Sequence, residues 1–231
     1  LRKVDLNVDI GEGFPFDEAL LEFATSANVC CGEHAGSLGL TYSTVEMCRS
    51  KGVRVGAHPG FPDRENMGRR EPSLEELEGY AESLRSQPGR VAGAAYVKPH
   101  GAFYNILVCT ARDSLVEKAW QIAVTYYEAE DRLMLLSDEN FSWAIRDHFP
   151  VLADPVISEG FADRGYRPDG TLIPRSEPGA ILEDPVDIKR QVLELARRVD
   201  SICLHGDTPG CLDFAELVYK TLVDAGYEVG F

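Results

Sequence analysis

At 231 residues the chain is long enough for one large hydrophobic core, and its composition is that of an ordinary globular enzyme. Its net charge of −15, from 38 acidic against 23 basic residues, repels nucleic acid and anionic membrane, so neither is expected as a partner. No apolar run approaches the ~20 residues that span a bilayer and no basic, apolar leader precedes the first strand, which makes a cytoplasmic location the expectation.

Residues 3–9 alternate cleanly, with Val4, Leu6 and Val8 on one face and Asp5, Asn7 and Asp9 on the other. In a barrel wrapped by helices the apolar face packs outward and the polar one points inward. Gly11-Glu12-Gly13 ends this strand, and a short helix follows with Asp17 as its expected cap. Residues 24–31 read as a second strand opening into Gly32-Glu33-His34-Ala35-Gly36, and a helix over 37–49 stops at Gly52. Residues 53–57 form the third strand, broken at His58-Pro59-Gly60 and followed by a long charged loop to Arg69-Arg70. Ser73 and Glu76 form a capping box for the next helix.

A fourth strand leads through Gly93 and Val97 into Lys98-Pro99-His100-Gly101-Ala102-Phe103-Tyr104-Asn105. Lys98 and His100 stand two apart and leave a strand on one face, while Pro99 places the stretch at a strand end. Further on, the pattern predicts a helix over 113–128, a strand over 133–136, a helix from Ser137 to Pro150 and a strand over 155–158 that runs into Glu159. Asp184-Pro185 starts another helix in the preferred cap-then-proline order. Residues 202–204 form a last strand before His205-Gly206-Asp207-Thr208-Pro209, and the final helix stops at Gly226. About seven strands alternating with helices, without a linker, predict one α/β domain over residues 1–231 with a closed or nearly closed parallel sheet.

The reactive side chains cluster at strand ends. Asp9, Glu12, His34, His58, Lys98, His100, Glu159, His205 and Asp207 all follow predicted strands directly, and in a parallel barrel those ends converge on one mouth. A single histidine so placed is more often a hydrogen-bonded structural residue; four with carboxylates are more simply one site. His148, on a predicted helix, is expected at the surface. Asp9, His58 and His100 are the expected ligands if a divalent metal of the Mg or Zn type binds, although no HExxH or HxxxH motif is present. The alternative is metal-free acid–base work by His and Asp pairs. Arg69, Arg70, Arg164 and Arg175 follow strands too and suit an anionic substrate. There is no GxxxxGK[ST], GxGxxG or nucleophile elbow, and the six cysteines show no zinc or redox spacing.

Several of these stretches are long enough to carry a resemblance. Asp5-Leu6-Asn7-Val8-Asp9-Ile10-Gly11-Glu12, Ser26-Ala27-Asn28 with Cys31 to Gly36, Gly56-Ala57-His58-Pro59-Gly60 and Gly68-Arg69-Arg70 resemble, in order, the LamB/YcsF family. So do the stretch from Lys98 to Asn105, Phe161-Ala162-Asp163-Arg164 with Tyr166, Pro174-Arg175, and His205 to Pro209. The chain departs modestly, with Glu33 where the family has an aromatic residue.

The resemblance implies a distorted seven-stranded β/α barrel of the glycoside hydrolase/deacetylase type. It also implies a 5-oxoprolinase activity in which 5-oxo-L-proline is opened to L-glutamate with ATP as cosubstrate, in company with subunits B and C. On that reading Lys98 stabilises charge on the lactam oxygen or its phosphate. His58, His100 or His205, oriented by Asp9 or Asp207, moves the protons. Arg69, Arg70 or Arg175 holds the substrate carboxylate, and Asn7, Asn28 and Asn105 supply neutral hydrogen bonds; Glu12, His34, Tyr104, Glu159 and Arg164 are further expected substrate contacts. The alternatives are a metal-dependent deacetylase or amidohydrolase acting on a sugar-like amide, and a substrate-binding subunit whose chemistry resides in its partners.

Overall fold

Strand β1 (Lys3–Ile10) sets the plan of the molecule, because its alternation decides what faces inward. In the computed structural model, which describes residues 2–109, 111, 113–128, 132–136, 156–207 and 210–231, Val4, Leu6, Val8 and Ile10 are buried against the helices, while Asp5, Asn7 and Asp9 point into the barrel. β1 is followed by β2 (Ser26–Cys30), β3 (Arg54–His58), β4 (Tyr96–Val97), β5 (Arg132–Leu136), β6 (Val156–Phe161) and β7 (Ser201–Leu204). Each pairs in parallel with the next, and β7 returns to β1 with Asn7 beside Cys203, which closes a seven-stranded barrel. The seven-stranded closure is as expected. An eighth, two-residue strand β8 (Glu228–Val229) adds to the start of β1, outside the closure.

The helices are α1 (Asp17–Leu20), α2 (Leu38–Ser50), α3 (Leu74–Ser86), α4 (Gly101–Leu107), α5 (Ser114–Glu128), α6 (Pro185–Leu195) and α7 (Cys211–Asp224) among the described residues. The Ser73–Glu76 capping box forms in full, and Asp184 caps α6 with Pro185 at its first position. Asp17 does not cap α1: it is the first helical residue, and its carboxylate instead accepts the Gly11 N–H at 2.8 Å, tying the helix to the end of β1. The stretch after His100 forms the largely buried helix α4. The predicted helix from Ser137 to Pro150, with His148, lies outside the described residues, as do Thr208 and Pro209.

Inside the barrel three layers separate. At the bottom the Asp5 carboxylate accepts from Ser26 Oγ at 2.6 Å, Thr25 Oγ1 at 2.8 Å and Ser201 Oγ at 2.5 Å, and pairs with Arg54 Nη2 at 3.2 Å. A small apolar plug of Tyr96, Met134 and Ile157 fills one side of the interior above it. The remaining space, toward the carboxyl ends of the strands, is polar. That layering puts the reactive groups at the barrel mouth.

Candidate active site

Lys98, one residue beyond β4, is the centre of the mouth. Its Nζ is 3.0 Å from Asp9 Oδ1, 3.2 Å from Asn7 Oδ1, 3.0 Å from Cys203 Sγ and 2.7 Å from Glu159 Oε1. The Glu159 contact is an ion contact off the hydrogen-bond direction. Burial works against the ammonium, but Asp9, Cys203 and Glu159 outweigh it and hold Lys98 well above the ordinary lysine range. Burial likewise opposes the Asp9 carboxylate, and Lys98 with the neighbouring histidines overcomes that and keeps it ionised.

The groups around this cation are fixed from below and behind. Asn28 Nδ2 donates to both Asn7 Oδ1 and Asp9 Oδ1 at 2.7 Å, and its Oδ1 accepts from the Tyr96 hydroxyl at 2.7 Å. Tyr104, on α4, donates to Glu159 Oε2 at 2.9 Å and accepts the Leu136 N–H. Asn7, Asn28 and Tyr104 are therefore buried supports of the charged groups rather than substrate contacts. Glu159 differs from expectation as well: it is an inward-facing residue within β6, not a loop residue after it.

Two histidine arrangements flank Lys98. On one side the Asp163 carboxylate accepts the His205 Nδ1 proton at 2.7 Å, which leaves Nε2 as the basic nitrogen. The Phe161 ring lies nearly parallel to the His205 imidazole, with centroids 5.5 Å apart. One ring nitrogen of His205 lies within 4.8 Å of both an Asp9 oxygen and Cys203 Sγ, which places the dyad against the Lys98 cluster. Asp163 was not among the site residues expected from the sequence, although it follows β6 as the other site residues follow their strands.

On the other side His34, His58 and His100 pack together with Glu12. His34 and His100 stack with centroids 3.8 Å apart, and His58 meets both edge-on. Burial lowers His58 to about 4 and His100 well below the ordinary range, whereas His34 rises to about 9 because Cys30 and Glu12 overcome its burial. Glu12 and His34, expected to touch substrate, are turned to each other at 3.1 Å. Close packing here needs glycine: a Cβ on Gly60 would lie 2.5 Å from His34 Nδ1. The metal set expected from the sequence is regrouped. His58 and His100 group with Glu12 and His34. Asp9, held by Lys98 and Asn28, groups with Cys203 and His205 and keeps a longer contact to the set, its Oδ2 3.6 Å from His58 Nε2.

The rim carries the arginines. Asp207 Oδ2 is 2.6 Å from Arg69 Nη2 and 3.7 Å from Arg175 Nη1, and Asp207 Oδ1 is buried without a hydrogen-bond partner among the described residues. Three other expectations are corrected. Arg70 is exposed and paired with Glu76 and Asp63, where it completes the α3 cap. Arg164 donates to the Ala180 and Ile173 carbonyls and so pins the loop after β6. Asn105 is exposed on the outer face of α4. Glu33, beside His34 in sequence, is neutralised by Arg90 at 2.7 Å.

Known proteins share this architecture and much of the sequence. The chain is 39% identical, over a 251-residue alignment covering 99% of both proteins, to the A subunit of 5-oxoprolinase from Neisseria meningitidis serogroup C (strain 053442). It is 40% identical to the A subunit of 5-oxoprolinase from Haemophilus influenzae (strain PittGG), with 96% of each covered. The crystal structure of a lactam utilization protein from Thermus thermophilus superposes with a TM-score of 0.80 at 31% identity, covering 99% of each chain. The LamB/YcsF family model matches residues 4–230, and with identity of this order over nearly its whole length the chain belongs to the LamB/YcsF family.

Proposed function

We propose that this chain is the A subunit of a cytoplasmic 5-oxoprolinase, opening 5-oxo-L-proline to L-glutamate by ATP-dependent hydrolysis together with partner subunits B and C. The names of its relatives support the substrate class and the hydrolytic role. The observation that carries the reading is a buried ammonium, Lys98, beside an Asp163–His205 dyad at one barrel mouth.

A lactam amide is a poor electrophile, and coupling to ATP makes its opening favourable. The γ-phosphoryl group passes to the lactam oxygen and ADP leaves. Water then adds to the ring carbon, the C–N bond breaks, and the nitrogen takes a proton. The resulting acyl phosphate is hydrolysed by a second water to glutamate and inorganic phosphate. Lys98 offers its ammonium to the charge that develops on the lactam oxygen and its phosphate. His205 is the base toward water and the acid toward the leaving nitrogen. Its Nε2 makes no hydrogen bond among the described residues, whereas both nitrogens of His58 and of His100 are engaged. Arg69 and Arg175 present guanidinium groups for the substrate carboxylate. Asp207 Oδ1, buried and without a hydrogen-bond partner among the described residues, is an acceptor for the lactam N–H.

The test is reconstitution with subunits B and C, following ATP-dependent glutamate formation. The complete set should turn over 5-oxoproline, and omission of this chain or a Lys98→Met substitution should abolish turnover. Wild-type rates with Lys98→Met would remove the lysine from the chemistry, and turnover without the chain would remove the whole subunit.

A further inference from the structure

The tightest contact among the histidines is one that neutral rings cannot make unaided. His58 Nδ1 faces the Lys98 carbonyl at 2.7 Å, and His100 Nε2 faces the Met67 carbonyl at 2.8 Å. A carbonyl only accepts, so both of those nitrogens carry the ring proton. The remaining nitrogens, His58 Nε2 and His100 Nδ1, are then both lone pairs, yet they stand 2.9 Å apart. Something positive belongs between them. Glu12 Oε1 is aimed at the same point, 3.5 Å from His100 Nδ1 and 3.1 Å from His34 Nε2.

We propose that Glu12, His34, His58 and His100 form a site for a divalent metal ion of the zinc class. One ligand atom from each lies within 4.8 Å of the others, and ions bound at about 2.0–2.1 Å hold tetrahedral ligands roughly 3.3 Å apart. His34, stacked flat on His100 with centroids 3.8 Å apart, turns out of that stack to direct a ring nitrogen at the ion. All four side chains are at most 5% exposed. The two backbone carbonyls fix the tautomers of His58 and His100 as outer partners do for metal-bound imidazoles. A donor set of three imidazoles and one carboxylate suits zinc-like ions and not magnesium, which takes oxygen ligands. A shared proton would account for the His58–His100 contact alone, whereas an ion uses Glu12 and His34 as well.

The site goes beyond the ring-opening reading and is tested without an activity assay, so failure of either leaves the other standing. The purified chain, stripped with chelator and offered Zn²⁺ or Co²⁺, should take up a stoichiometric ion. The Co²⁺ form should show the visible absorption of a low-coordinate site. Glu12→Gln and His34→Asn should each weaken Zn²⁺ binding by about 100-fold or more. His205→Gln, in the neighbouring group, should bind as tightly as wild type. Should a variant fail to fold, stoichiometry and the cobalt spectrum of the wild-type chain still decide. No saturable uptake by the wild-type chain, or unchanged affinity in both folded variants, overturns the assignment. So does a proton detected by NMR between His58 and His100 in the presence of excess Zn²⁺.

Discussion

Asp163 holds His205 by both carboxylate oxygens, with the His205 Nδ1 at 2.7 Å from one and 2.9 Å from the other. The contact fixes which nitrogen of His205 is basic, and the Phe161 ring beside it fixes the plane of the imidazole. Asp163 is thus a positioning residue. Replacing it with Asn should lower kcat for glutamate formation by about 100- to 10,000-fold, the span of general acid–base catalysis, and change the pH profile of kcat. A drop in rate with an unaltered pH profile would point to a structural role instead.

Lys98 neutralises two buried carboxylates at once, so its removal has a stability cost separate from its chemistry. Lys98→Met leaves Asp9 and Glu159 facing each other's field without a cation and should cost about 3–5 kcal/mol in urea unfolding. Adding Glu159→Gln should recover part of that loss, because one of the stranded charges is gone, while activity stays absent. Strictly additive destabilisation in this double-mutant cycle would contradict the pairing.

The rim arginines divide by geometry. Arg69 and Arg175 converge on Asp207, whereas Arg70 is committed to Glu76 and Asp63 on the outer surface. Steady-state kinetics of the reconstituted complex should show KM for 5-oxoproline raised about 10- to 100-fold by Arg69→Ala or Arg175→Ala, as for a lost charged hydrogen bond. Arg70→Ala should leave KM unchanged.

Arg70 matters instead for acid stability, through Glu76. The Arg70 guanidinium, with the Ser73 N–H, pulls the Glu76 carboxyl from 4.5 down to about 2. A carboxyl depressed in the folded state adds stability above its unfolded value and loses it as pH falls through the folded one. The contribution should therefore be complete above about pH 5 and fade between pH 4.5 and about 2. Unfolding measured across that window should be less pH-dependent in Glu76→Gln than in the wild-type chain.

Gly56 makes room for the support beneath the site. A Cβ there would come within 2.2 Å of the Tyr96 ring, whose hydroxyl holds Asn28 and, through it, Asp9. Gly56→Ala should destabilise the fold by about 1–3 kcal/mol through overpacking and should also reduce activity, because the strain is transmitted to Asp9. Wild-type activity with normal thermal stability would show that the ring can shift freely.

The strand–helix alternation, the inward polar face of β1, the capping box of α3 and the proline start of α6 are all legible in the bare sequence. They follow from short-range rules: period-two alternation, cap chemistry and the fixed φ of proline. The position of the chemistry at the strand ends is legible too, since in a parallel barrel all such ends meet. Which of those residues face one another was settled by packing. Asn105 and Tyr104 are neighbours in sequence, yet a helix turns one outward and buries the other on Glu159. Arg69 and Arg70 are adjacent, yet one reaches the mouth and the other the α3 cap. Asp163 gained its role from His205, 42 residues away. The proposed metal set differs from the one the sequence suggested for the same reason. Asp9 is engaged by Lys98 and Asn28 and only reaches His58 at 3.6 Å, while the barrel mouth places Glu12 and His34 against His58 and His100. Such pairings depend on side-chain direction across strands far apart in the chain, which local periodicity does not encode.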